Sequence, residues 1–136
     1  MDLQLEGKSC LVTGASVGIG YGVAKMLAAE GAKVAITARR EDLLNGLADE
    51  IASSGAERPV IIPSDVTSAS APEVIKKGVY DAYGHLDVLV NNVGAAAGSP
   101  MDAPDEVWDN LFDLNFKPTR RLTSAFLPGM LERKYG

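Results

Sequence analysis

The stretch Leu11-Val12-Thr13-Gly14-Ala15-Ser16-Val17-Gly18-Ile19-Gly20 decides the fold, because it joins an apolar run to a helix-period segment through a turn with three glycines. Glycine lets the backbone adopt positive φ and approach a ligand closely. The free N–H groups and the dipole at the start of the following helix attract anionic oxygens. In this context the glycines predict a site for the phosphates of a nucleotide. Three residues separate Gly14 from Gly18, so the spacing differs from the common dinucleotide fingerprint G-x-G-x-x-G.

Apolar runs alternate with helix-period stretches along the chain on either side of this turn. Four short, mostly β-branched runs have the continuous hydrophobicity of strands buried on both faces. This alternation predicts an α/β fold in which helices cover a parallel sheet. The predicted strands are residues 10–12, 34–36, 60–62 and 88–90, and the predicted sheet-facing helical residues are Ile19, Val23, Met26 and Leu27, then Leu43, Leu44, Leu47 and Ile51, then Ile75, Val79 and Ala82.

The pattern changes after Gly94, where residues 95–100 are typical of an exposed loop. A long apolar periodicity then runs from Pro104 to Met130. Pro118 interrupts it and removes the hydrogen bond to the carbonyl of Leu114, which predicts a kinked helix with free backbone polar groups near Leu114 and Asn115.

Composition excludes several classes of protein. The 136 residues carry a net charge of −5, which argues against nucleic-acid and membrane partners, since their phosphates require clustered cations. The single cysteine excludes an intrachain disulfide, and Cys10 lies in an apolar run, so we expect it in the core. No basic start precedes an apolar stretch, and no apolar run approaches the ~20 residues that span a bilayer. We expect one cytoplasmic domain over residues 1–136, without a metal site.

Four sequence motifs resemble those of a known protein family and lie at the positions where that family has them. They are the T-G-x-x-x-G-x-G turn, Asp65-Val66 after the third strand, Asn91-Asn92-Val93-Gly94 after the fourth, and Asn115. Together they resemble the short-chain dehydrogenase/reductase family over essentially the whole chain, with Val93 in place of the alanine of N-N-A-G. The resemblance implies a Rossmann-like doubly wound parallel sheet, of which strands in the order 3-2-1-4 are present.

The same resemblance implies roles for the motif residues. Those of the turn would cradle the dinucleotide phosphates and ribose, Asp65 and Val66 would hold the adenine, and Asn92 and Gly94 would border the adenosine and nicotinamide. The sheet topology independently places ligands at the carboxyl ends of strands one and four, where the strand order reverses. The implied turn residues are Gly14, Ser16, Gly18, Ile19 and Gly20, together with Val17, a position that is often basic in NADP-using relatives.

Charge at the end of the second strand indicates which dinucleotide binds. A carboxylate there would accept hydrogen bonds from a ribose 2′-hydroxyl and repel a 2′-phosphate, whereas arginine stabilises that phosphate. The strand ends Thr37-Ala38-Arg39-Arg40, and the first carboxylate is Glu41. These residues favour NADP over NAD, although a solvated start to the second helix would also explain Arg39 and Arg40.

Of the family's catalytic set, only Asn115 is visible. The resemblance implies a proton donor from a Y-x-x-x-K motif, with a serine that polarises the substrate oxygen and Asn115 completing a proton relay. The literal match Tyr21-Gly22-Val23-Ala24-Lys25 is rejected, because we expect Tyr21 and Lys25 to point away from the sheet. His85 and Tyr135 lack motif support. Asn115 has the alternative role of satisfying backbone groups at a helix break.

The strand count predicts a chain that is incomplete at its C-terminus, because a doubly wound sheet of this type has six strands and four are present. The fourth strand would then be an unprotected edge. We expect an NADP(H)-dependent oxidoreductase acting on a small-molecule carbonyl or alcohol, with the Ser/Tyr/Lys catalytic segment absent from this chain, so that the 136 residues alone are inactive. Homo-oligomerisation is implied by the resemblance. The alternatives are a catalytically inert dinucleotide-binding module or regulatory fragment and, less favoured by the asparagine motifs, another nucleotide user such as a methyltransferase.

Overall fold

The computed structural model describes residues 3–96 and 101–136, and it forms a four-stranded parallel sheet in the order β3-β2-β1-β4. The predicted α/β class and strand order are therefore confirmed. The predicted loop segment 97–100 lies outside the described residues. The strands are β1 (Ser9–Thr13), β2 (Lys33–Ala38), β3 (Val60–Pro63) and β4 (Val88–Val90), and the helices are α1 (Gly18–Ala29), α2 (Glu41–Ser53), α3 (Ala71–Tyr83), α4 (Asp105–Asn115) and α5 (Lys117–Arg133).

Two apolar cores lie on opposite faces of the sheet. Successive residues of β1 alternate between them, with Cys10 and Val12 packed on one side and Leu11 on the other. Helices α1 and α2 cover the first face, while α3 and α5 cover the second. This explains why the strands are continuously hydrophobic. The strand β4 is only half-buried along its length, in contrast to the full burial that its sequence predicted.

The sheet-facing side of α1 differs from the prediction. Ile19 and Met26 are 78% and 62% exposed, so placing them against the sheet was wrong. The buried residues are Gly20, Ala24 and Ala28, whose small side chains let the helix axis approach the strands closely. Val23 and Leu27, the other two predicted residues, are partly buried and pack against the core, so the prediction holds for these two.

The other predicted faces hold with two exceptions, Leu43, which is only half-buried, and Ala82. Leu44, Leu47 and Ile51 of α2 are buried, as are Ile75 and Val79 of α3. Ala82 is exposed, because it lies on the solvent side of the last turn of α3.

Pro118 divides the C-terminal helical region rather than bending it. Helix α4 ends at Asn115, and α5 begins at Lys117 with Pro118 buried in its first turn. Proline is tolerated there because the first N–H groups of a helix have no intrahelical partner. A kinked single helix was therefore the wrong expectation. A second proline, Pro128, lies inside α5.

Among residues 3–96 and 101–136, no helix has both the length and the hydropathy that crossing a bilayer requires.

Candidate functional site

The turn between β1 and α1 has the backbone geometry of an anion-binding loop. Gly14 and Gly18 have φ of +65° and +67°, a region that side-chain-bearing residues rarely adopt. A Cβ at Gly18 would meet no described atom within 4 Å, so open space lies above it. Within the described residues, no side chain caps the start of α1 at Val17, and the first turn holds no acidic residue. The N–H groups and the positive end of the helix dipole are therefore available to an anion.

Gly20 holds the turn against the neighbouring strand. A Cβ at this position would lie 2.5 Å from both the Gly14 carbonyl oxygen and the Asn92 side-chain nitrogen. That separation is shorter than any real Cβ contact, so only glycine fits. The buried Gly20 and the half-buried Asn92 therefore pack against the backbone of the turn.

Thr13 connects the carboxyl ends of β1 and β4. Its buried hydroxyl donates to the Val90 carbonyl at 3.3 Å and accepts from the N–H groups of Asn92 and Val93 at 2.9 and 3.2 Å. The Asn92 amide in turn donates to the carbonyls of Thr13 and Gly14 at 3.0 and 3.3 Å. Sequence reasoning missed Thr13, although a hydroxyl at the end of a buried apolar strand requires a partner.

A cavity of about 300 Å³ lies at the carboxyl ends of β1, β2, β3 and β4. It brings together seven of the predicted site residues from four segments of the chain. Val17, Gly18 and Ile19 are exposed at the start of α1 instead. The cavity is also lined by residues that were not predicted as site residues, namely Ala38, Ser64, Thr67, Val93, Ala95 and Leu114. The predicted residues that line the cavity are Gly14, Ser16, Arg39, Arg40, Asp65, Val66 and Gly94.

Asp65 is fixed in a tight turn on one wall of this cavity. Its Oδ1 accepts the Thr67 hydroxyl at 2.7 Å and the Thr67 N–H at 2.9 Å. These hydrogen bonds lower the pKa of the Asp65 carboxyl, and the charge of Arg39 lowers it further, against a smaller opposing effect of burial. The carboxylate is therefore ionised at neutral pH and committed to the turn.

The two arginines after β2 have different environments. Arg40 pairs with Asp42 in the first turn of α2, with Nη2 3.3 Å from Oδ2. Arg39, by contrast, has no ion pair among the described residues. The cavity wall thus presents one unpaired cation and one that is partly neutralised.

Asn115 lies at the end of α4 and is bound to the segment that follows β4. Its Oδ1 accepts the Ala95 N–H at 3.0 Å, and its Nδ2 donates to the carbonyls of Ala95 and Leu111 at 3.0 and 2.9 Å. A Cβ at Gly94 would lie 2.8 Å from the Asn115 Oδ1, so glycine permits this approach. The amide group uses both of its donors within the protein, and one acceptor position on Oδ1 is left over.

The remaining polar candidates lie away from the cavity. The Tyr21 hydroxyl and the Lys25 ammonium both contact Glu50 of α2, and Tyr21 packs partly into the core of that face. Tyr21 is thus half-buried rather than fully solvated. His85 lies near Asp87 at the amino end of β4, with 3.2 Å between Nε2 and Oδ2. None of these three residues lines the cavity.

Comparisons with known proteins agree with this geometry. The chain is 40% identical over 136 residues to a short chain dehydrogenase of Pseudocercospora fijiensis, an alignment that covers 98% of this chain and 44% of the relative. The crystal structure of L-sorbose reductase from Gluconobacter frateurii, complexed with NADPH and L-sorbose, superposes with a TM-score of 0.91 at 31% identity, covering 98% of this chain and 51% of that one. A metagenomic short-chain oxidoreductase in complex with NADP gives 0.88 at 37% identity, over 97% of this chain and 60% of that chain.

The chain spans about half the length of the curated relatives that it matches first. The family model for short chain dehydrogenases matches residues 8–136. With the parallel sheet, the glycine turn and the Asn92 hydrogen bonds in the positions described above, the chain belongs to the short chain dehydrogenase family.

Proposed function

We propose that this protein is an NADP(H)-dependent oxidoreductase that transfers a hydride between a nicotinamide and a carbonyl or alcohol substrate. One observation carries the cofactor choice. Arg39 and Arg40 line the same cavity as Gly14 and Asp65, so two guanidinium groups border a site that has phosphate-binding geometry. The complexes of the two structural neighbours with NADPH and NADP support this proposal.

The residues present fit a dinucleotide. Gly14, Ser16 and the start of α1 would hold the pyrophosphate, since the uncapped helix terminus and the open space at Gly18 favour an anion. Val17 and Ile19 lie at the same terminus and would flank it. Asp65 and Val66 would hold the adenine from the opposite wall. We assign the 2′-phosphate to Arg39 and Arg40, because arginine forms charge-assisted hydrogen bonds with phosphate oxygens.

The nicotinamide, when bound, supplies the hydride chemistry, and the chain's own residues bind and orient it. Asn92 and Gly94 would border the nicotinamide side, since Asn92 fixes the carboxyl end of β4 to the glycine turn. Asn115 would complete a proton relay. Its remaining Oδ1 acceptor position can hold a water, while its bonds to Ala95 keep the amide in place.

Self-association is a further part of this proposal. Three large side chains at the α4–α5 corner are roughly half exposed: Trp108 at 46%, Phe112 at 58% and Phe116 at 53%. Exposed apolar clusters of this kind mark interaction surfaces. Light scattering of the purified protein tests this expectation, and a monomer at all concentrations contradicts it.

Titration with NADPH and NADH tests the cofactor assignment. Arg39→Asp should weaken NADPH binding much more than NADH binding, because the carboxylate would repel the 2′-phosphate. Arg120→Asp is the matched control, since Arg120 is exposed and lies outside the cavity wall. Equal loss of both dinucleotides in Arg39→Asp would overturn the NADP preference. NADPH oxidation on a panel of carbonyl compounds, together with the intact mass of the purified protein, tests the reaction. A mass near 14.3 kDa with NADPH binding but without turnover would favour the inert module.

A further inference from the structure

The two arginines of the proposed 2′-phosphate site differ in how freely they could bind a phosphate, because only one of them is paired with a carboxylate. Arg40 is held by Asp42, two residues further along the chain, whereas Arg39 has no ion-pair partner in the described part of the chain. We infer that Asp42 competes with the cofactor's 2′-phosphate for the guanidinium of Arg40 and so limits the selectivity of this site for NADP(H). This inference rests on the proposed function.

The hydrogen bond between the two side chains supports this competition. Arg40 Nη2 donates to Asp42 Oδ2 at 3.3 Å, and this bond is the main reason that the pKa of the Asp42 carboxyl lies below its ordinary value. The Asp42 carboxyl is therefore ionised at neutral pH, where the protein would bind a dinucleotide. A phosphate that approaches Arg40 must displace this carboxylate or bind beside it.

The helix terminus adds to the competition. Asp42 lies in the first turn of α2, together with Glu41, where the positive end of the helix dipole favours negative charge. A 2′-phosphate at the carboxyl end of β2 would be stabilised by the same dipole. Two features would stabilise a 2′-phosphate here, the guanidinium of Arg40 and the start of α2. The Asp42 carboxylate already interacts with both.

Arg39 is the contrasting case. Its charge acts on the carboxyl of Asp65, whose Oδ1 is engaged by the hydroxyl and the N–H of Thr67. No hydrogen bond joins Arg39 to that carboxylate among the described residues. Arg39 is therefore the open cation of the site and Arg40 the restrained one.

The chain offers a closely matched control for Asp42. Asp49 lies on the same helix, pairs with Arg58 at 2.9 Å, and has a side chain that is 70% exposed against 69% for Asp42. Neither aspartate lines the cavity, but Arg40, the partner of Asp42, does, whereas Arg58, the partner of Asp49, does not. Asp42→Asn and Asp49→Asn change the net charge equally and each removes one exposed ion pair, so only the first frees an arginine in the proposed site.

Calorimetric titration with two fragments separates the 2′-phosphate from the rest of the cofactor. The probes are adenosine 2′,5′-bisphosphate and adenosine 5′-monophosphate. Asp42→Asn should tighten binding of the bisphosphate about two- to fivefold, the range expected for loss of one exposed pair, and leave the monophosphate unchanged. Asp49→Asn should change neither. In an Arg40→Gln background, Asp42→Asn should give no gain.

Three outcomes would overturn the inference. They are an unchanged bisphosphate affinity in Asp42→Asn, an equal gain in Asp49→Asn, and a gain that persists without Arg40. A wild-type protein that binds the bisphosphate no better than the monophosphate would instead overturn the NADP assignment itself, and the inference with it. Wild-type preference for the bisphosphate with no response to Asp42→Asn overturns the inference alone.

Discussion

The side chain of Asn115 and the backbone of Ala95 exchange two hydrogen bonds, each 3.0 Å long, which join the end of α4 to the segment that follows β4. Because Ala95 also lines the proposed cofactor cavity, this link sets the position of one cavity wall. Asn115 therefore positions Ala95 in the cavity wall, in addition to the role in a proton relay that is proposed for it.

Substitution of Asn115 tests both roles. Asn115→Ala removes hydrogen bonds that are each worth about 1 kcal/mol, and solvent can replace part of this loss because the side chain is exposed. In a full-length form of the protein, we expect NADPH turnover to fall while NADPH affinity is largely retained. Asn110→Ala, at an exposed position of the same helix, should change neither quantity. Unchanged turnover in Asn115→Ala, with a measured loss of unfolding free energy, would leave only the structural role.

A pair of glycine substitutions in α1 tests the close contact beneath the turn. Gly20→Ala should destabilise the protein by about 1–3 kcal/mol and abolish NADPH binding, because the added Cβ meets the backbone of Gly14 at 2.5 Å. Gly22→Ala should stabilise the helix by about 0.5–1 kcal/mol, since its Cβ would meet no described atom within 4 Å. Urea unfolding and NADPH titration measure both effects. Equal stability of the two variants would contradict the proposed packing.

The buried carboxylate of Asp87 should make stability depend on pH. Burial alone would raise its pKa, but hydrogen bonds from Ser9 and Arg133 and the nearby His85 outweigh this effect and lower the pKa below its ordinary value. A lowered folded-state pKa gives stability that is present above the unfolded-state pKa of about 4 and is lost as the pH falls through the folded value. The free energy of unfolding should therefore decline below about pH 4.

Asp87→Asn tests this origin. Loss of the charge leaves Arg133 without its carboxylate partner, which lies 3.0 Å away, and should cost about 3 kcal/mol near neutral pH. The acid dependence should become shallower in the same variant. Asp81→Asn, which removes an exposed carboxylate paired with Lys77, should cost less than about 1 kcal/mol. An acid slope identical to that of the wild type would assign the pH dependence to other carboxylates.

Cys10 should be an unreactive thiol in the folded protein. It has no exposed surface, and burial, together with the charge of Asp87, raises its pKa to about 11. At pH 8 roughly a thousandth of the thiol is ionised, and the reactive species is the thiolate. Labelling with a maleimide should proceed only as fast as the chain opens, and urea should accelerate it. Rapid labelling without denaturant would contradict the burial of β1.

Local sequence patterns predicted the strands and the glycine turn. Continuous apolar runs located the strands, because helices cover both faces of the sheet. The glycine spacing located the turn, since positive φ at Gly14 and Gly18 requires glycine. The reversal of strand order also predicted a ligand site at the carboxyl ends of strands one and four, and the family resemblance added Asp65. Gly14, Asp65 and Gly94 line one cavity there.

Helix orientation was less predictable. The buried residues of α1 are Gly20, Ala24 and Ala28. Periodicity of large apolar residues correctly placed Val23 and Leu27 against the core but wrongly added Ile19 and Met26. Close approach of a helix to a strand depends on what lies opposite, here Asn92 and the carbonyl of Gly14. Asn92 lies far from Gly20 along the chain and so contributes no local signal.

The sequence by itself determined the class of fold, because that depends on hydrophobic pattern. Its glycine and asparagine motifs indicated the family and, through the family, the strand order. Only the tertiary structure decided which polar groups pair. Thr13 joins β1 to β4, Asn115 joins α4 to Ala95, and Asp42 rather than a ligand holds Arg40. Hydrogen bonds and ion pairs of this kind require separations of about 3 Å, and such separations are set by packing across the whole sheet rather than by local sequence.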